Sequence, residues 1–130
     1  MKKLFTITAL IESVTGLILL ISPSFLVFAL LGSSLDGAAG LLLGRIAGIA
    51  LISLGTVSWL ARKDEKSVSS KGIAVALLLY NIVVAFLLAY TGLNSSQLEL
   101  PLWSVVVVHL LLAIWLIKIF IDDNHAKNKT

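Results

Sequence analysis

Four side chains in this sequence are of types that do chemistry, and each interrupts a long apolar run: Glu12, Arg45, Asn81 and His109. A carboxyl, a guanidinium, an amide and an imidazole can exchange protons, hold an ion or build a buried hydrogen-bond network. An ionisable group at the centre of a bilayer costs about 2.5–3.5 kcal/mol on insertion scales, so such groups face a protein interior or a hydrated cavity. Each residue carries two readings. Glu12 is either the structural partner of Arg45 or a carboxyl that exchanges protons or binds a cationic substrate. Arg45 is either a snorkelling anchor or an anion contact. His109 is a satisfied core imidazole or a proton relay; haem ligation would need a second histidine from a paired subunit, so no cofactor is expected. Asn81 is helix-to-helix glue or a substrate ligand.

Spacing adds partners to these four. Thr8, Glu12, Thr15 and Gly16 share one helical face by the i−4, i+3 and i+4 relations, a polar stripe that brings Thr8 and Thr15 into the candidate site. Asn81 is followed on its own face by Ala85 and Ala89, and His109 by Ala113. Gly40, Gly44 and Gly48 repeat every four residues, with Gly37 before them and Gly55 after. Small residues at that spacing let helix backbones approach closely, either within the chain or in a homodimer.

The elements that position these groups follow from composition. Apolar residues make up 58% of the 130 residues and charged residues 13%, against about 25% charged in a soluble domain. Mean hydropathy is +1.04. Lipid is the expected solvent. A hydrocarbon core about 30 Å thick needs about 20 apolar residues in a helix, and residues 4–21, 38–60, 72–90 and 102–121 meet that length. The sequence thus predicts one all-α transmembrane domain over residues 1–130, an integral membrane four-helix bundle. Pro23 should end or kink the first helix, with Ser22 as N-cap and Pro23 at N1 of a short interfacial helix over 24–31, or of a kinked continuation. The segments 61–71 and 122–130 read as solvated.

Orientation comes from lysine and arginine. Nine of the ten basic residues fall at the N-terminus, between the second and third spans, or in the last turn of the fourth span and beyond it, and only Arg45 lies elsewhere. That bias predicts both termini in the cytoplasm and a multi-pass protein of the cell's inner (plasma) membrane. Glu12 interrupts the first apolar run and no A-x-A site follows it, so this run reads as a span and not as a cleaved signal. Trp59, Trp103 and Tyr90 sit near span ends, as aromatic-belt anchors do. At about 1.5 Å per residue, Glu12 and Asn81 would form one layer and Arg45 and His109 another, roughly 7–8 Å apart, close enough for a Glu12–Arg45 ion pair.

Several classes are disfavoured. There is no cysteine, hence no disulfide or thiolate chemistry. The +3 net charge borders membrane segments, a topology signal and a contact for anionic lipid; nucleic acid is not an expected partner. No nucleophile–base pair, metal cluster or phosphate-binding glycine loop is visible, so neither an enzyme nor a metal site is expected.

Length, four spans and a glutamate in the first helix, Glu12, are similar to the small multidrug resistance exporters. That resemblance implies a carboxyl binding a cationic drug and protons in alternation. It covers the broad plan and Glu12 alone; the second and third helices lack that family's aromatic, glycine-rich pattern, and the GLLLGRIAG run has no counterpart there. The expected function is a proton-coupled transporter or transporter-like binding protein, with Glu12, Arg45, Asn81 and His109 lining a central polar site. The alternatives are an accessory or assembly subunit of a larger membrane complex, and a lipid- or quinone-binding membrane protein. Expected partners are membrane lipids, a second copy of the chain, or that larger complex.

Overall fold

The structure, a computed structural model, describes residues 1–35, 37–64, 66–95 and 100–127, without the side chains of Ala126 and Lys127. Asp36 and Glu99, the only charged residues in their loops, lie outside the described residues, as does Lys129. The described chain is all-helical: α1 (Lys2–Ile21), α2 (Pro23–Leu31), α3 (Gly37–Ala61), α4 (Val68–Leu93) and α5 (Leu100–Lys127). All but α2 are long and apolar enough to cross a membrane. Large apolar side chains stand more than half exposed along them, among them Leu10, Leu17, Leu43, Phe86 and Ile114. In water such a surface is an aggregation liability, whereas in lipid it is the expected exterior. The architecture is compatible with a small multi-pass membrane protein.

Two compact units make up the chain, Lys2–Glu65 and Lys66–Thr130. In the first, α1 ends where Ser22 turns out of the helix (φ −141°, ψ 75°), its N–H still donating to the Ile18 carbonyl at 2.8 Å. Pro23 then opens α2 at its first turn, where a missing N–H costs nothing. The Ser22 side chain makes no capping bond, so proline alone carries the break. Gly32 closes α2 at φ 65°, a conformation open to glycine, and its N–H donates to the Phe28 carbonyl.

α1 and α3 pack antiparallel through glycine. A Cβ on Gly16 would lie 2.6 Å from the Gly48 carbonyl oxygen, and one on Gly48 would lie 2.7 Å from that of Gly16. Gly55 lies as tightly against Ala9 and Ser13, while Gly44 meets Pro23 and Gly40 meets Leu35. The glycine stripe is thus occupied within the chain. Its α1 and α2 neighbours were not legible in a one-helix pattern.

The second unit is an antiparallel pair. The buried residues of α4, Ser70, Ala74, Leu77, Asn81 and Ala85, recur at spacings of three and four. Those of α5 include Leu102, Val106, His109, Ala113 and Leu116 at the same spacings. Such a stripe is the seam of two helices packed side by side. Gly92 meets Leu102 and Trp103 at one end, and Lys71 meets Asp123 at the other, Nζ to Oδ2 3.0 Å.

Two boundaries differ from the sequence reading. α4 begins at Val68 and not near 72, because the Ser67 hydroxyl accepts the Ser70 N–H at 3.1 Å and caps it. α5 does not stop near 121: the stretch read as a solvated tail stays helical to Lys127. The Lys71–Asp123 bridge ties that added turn to the start of α4.

Candidate functional site

The stripe that buries α4 places Asn81 among Leu77 and Ala85, and the α5 stripe places His109 among Val106, Leu112 and Ala113. Asn81 is fully buried and His109 is 7% exposed. Antiparallel register brings them together: His109 Nδ1 lies 2.9 Å from Asn81 Oδ1. The amide's other end is also engaged, Nδ2 donating to the Leu77 carbonyl at 2.7 Å. With the amide nitrogen directed at a carbonyl, Oδ1 can only accept, so the imidazole donates from Nδ1. In the neutral ring the lone pair then sits on Nε2, which has no hydrogen-bond partner among the described residues. Tyr80 stands edge-on to the same ring, centroids 5.7 Å apart at 78°.

This pairing changes the expected layering. Depth counting placed Asn81 and His109 in separate layers. They are hydrogen-bonded partners, because the contact of Gly92 with Leu102 and Trp103 fixes the register of the pair. Tyr80, the neighbour of Asn81 on α4, is the ring that borders the imidazole. The i−4 spacing from Asn81 to Leu77 was a readable signal for the amide-to-backbone bond.

On α1, Thr8 and Glu12 are buried with Phe5 along one face, and Thr15, one turn further, is half-buried. The glycine seam adjoins this face: at about 100° per residue, Gly16, Ala9 and Ser13, which contact α3, lie about 40°, 60° and 100° round the helix from Glu12. Gly16 belongs to that seam and, by its i+4 spacing, also borders Glu12.

The seam also removes the expected Glu12–Arg45 ion pair. With Gly16 against Gly48 and Ile52, and Gly55 against Ala9 and Ser13, Glu12 lies level with Leu54 and Arg45 level with Ile21. Nine residues of α3 separate the two levels, about 14 Å at 1.5 Å per residue. Arg45 is exposed and forms no ion pair among the described residues. The depth estimate failed because it took helix ends as flush, whereas the close glycine contacts set the actual stagger. Gly48 lies against α1, Gly44 against Pro23 of α2 and Gly40 against Leu35. Among the described residues no cluster of three or more histidine or acidic side chains could hold a metal.

Residues 6–122 match the family described as a domain of unknown function (DUF8292), and the chain belongs to that family. No curated protein and no solved structure matches it.

Proposed function

We propose that the protein is a small transporter-like membrane protein whose intramembrane chemistry is carried by His109 on α5 and Glu12 on α1. The observation that carries this reading is the Asn81–His109 hydrogen bond. Asn81 fixes one nitrogen of a buried imidazole as donor and leaves the other as proton acceptor. Such a ring gains a proton on Nε2 without breaking its bond to Asn81, and the amide oxygen stabilises the cation formed. Glu12 supplies the group suited to a cationic solute, with Thr8 and Thr15 on its face. The distribution of lysine and arginine supports both termini in the cytoplasm of a cell bounded by this membrane.

The test uses the full chain in liposomes loaded with a pH-sensitive dye, with ethidium as a lipophilic cation probe under an imposed pH gradient. Ethidium-dependent proton movement is expected, falling by an order of magnitude or more in Glu12→Gln and in His109→Phe. Rates equal to those of protein-free liposomes, or unchanged in both variants, would overturn the reading.

A second reading is an accessory subunit of a larger membrane complex. The observation that favours it is Arg45, an exposed guanidinium in mid-α3 amid apolar residues, a placement that a carboxylate from a partner helix would relieve. Isolation of a stable, monodisperse protein without partners would count against it.

A further inference from the structure

The α1–α3 pair carries a groove of about 360 Å³ lined by Ala9, Leu10, Ser13 and Val14 of α1 and by Gly55, Thr56 and Trp59 of α3. Its floor is Gly55 with the Ala9 and Ser13 backbone and the Ser13 hydroxyl packed against it, too close for a further side chain to enter. Its walls include Leu10 and Val14, 56% and 59% exposed. Thr56 directs its hydroxyl to the Ile52 carbonyl at 2.8 Å, so that wall presents no unsatisfied polar group. The groove is therefore open and mostly apolar, with the Ser13 hydroxyl as its other polar group.

It ends in positive charge. The Arg62 guanidinium lies 3.3 Å from the centroid of the Trp59 ring, and its Nε donates to the Trp59 carbonyl at 3.0 Å. Both contacts hold the planar group in one orientation at the groove's end and leave its terminal nitrogens to donate elsewhere. Lys3, in the first turn of α1, and Arg62 and Lys63, just past the end of α3, fall at the same end of this antiparallel pair. A fixed guanidinium matches phosphate oxygens in a two-point fork. Tryptophan beside it is the side chain found where headgroups begin, and basic pockets between membrane helices take anionic headgroups.

We propose that this groove binds one anionic phospholipid, an acyl chain lying against Leu10, Val14 and Gly55 with the headgroup phosphate on Arg62. A free phosphate would satisfy the guanidinium and leave the apolar groove empty; an uncharged lipid would fill the groove and leave the cations unmatched. An amphiphile with a negative head meets both features. This inference concerns a site apart from His109 and stands whether or not the protein transports anything.

The experiment reads Trp59 fluorescence in the full chain carrying Trp103→Phe and Trp115→Phe, reconstituted in phosphatidylcholine vesicles. Phosphatidylglycerol with brominated acyl chains should quench Trp59 several-fold more effectively than brominated phosphatidylcholine at equal mole fraction. Arg62→Gln should abolish that excess, Arg62→Lys should retain part of it, and Lys63→Gln should leave it intact. Native mass spectrometry of the unaltered chain provides a check independent of the tryptophan replacements, with phosphatidylglycerol retained in preference to phosphatidylcholine. Equal quenching by the two lipids would overturn the proposal. So would equal losses in Arg62→Gln and Lys63→Gln, which would reduce the effect to general surface attraction.

Discussion

His109 donates from Nδ1 to Asn81 Oδ1 across 2.9 Å, while the same amide donates from Nδ2 to the Leu77 carbonyl across 2.7 Å. Each member of this chain of bonds has its role fixed by the next, and all of it is buried between apolar stripes. Replacing Asn81 by Leu removes the acceptor and leaves a buried N–H unpaired. The expected loss is about 0.6 kcal/mol and no more than about 1.7 kcal/mol, the average and the maximum for interhelical hydrogen bonds in a membrane protein. Reversible unfolding in detergent checks it. In Asn81→Leu/His109→Leu the combined loss should fall short of the two single losses added together, because the variants share one bond.

The α1–α3 contact predicts a contrast between glycines. Gly48→Leu forces a side chain into the Gly16 carbonyl and the Leu20 N–H, and overpacking of this kind costs roughly 1–3 kcal/mol. Gly72→Ala meets nothing within 4 Å and lies within α4, where alanine is favoured over glycine by up to about 1 kcal/mol. Unfolding of the two variants should therefore move in opposite directions.

Glu12 and Arg45 should behave as independent sites. Their levels on the α1–α3 pair differ by about 14 Å, and no ion pair joins Arg45 to a described residue. The stability changes of Glu12→Gln and Arg45→Leu should add within about 0.5 kcal/mol. A coupling well above that would restore the ion pair read from sequence.

Lys71 and Asp123 are 33% and 46% exposed, so their bridge is screened and worth only about 0.2–1 kcal/mol. Lys71→Gln should lower stability by no more than that, and added salt should shrink the difference. A larger effect would mean that the last turns of α5 depend on this tie.

Much of this was legible in one sequence because the bilayer imposes a length. Apolar blocks interrupted by loops mark α1, α3, α4 and α5 to within a few residues at most ends, and Ser22-Pro23 marks the break before α2. Rotation and stagger were not legible. Both depend on which glycines of two helices meet, and the pattern of one helix does not show that Gly16 meets Gly48. The extension of α5 to Lys127 escaped because a polar segment carries no apolar period to read. Asn81 and His109 were recognised as unusual residues, but their pairing required the register set at Gly92.

The direct test of the account is the tautomer of His109. Solid-state nitrogen NMR of histidine-labelled full chain in bilayers, with His125→Gln to leave a single histidine, reads which ring nitrogen carries the proton. A neutral ring protonated at Nδ1, with the lone pair on Nε2, is expected, and that preference should be lost in Asn81→Leu. A ring protonated at Nε2 in both proteins would contradict it, because the nitrogen proposed to accept a proton would already hold one.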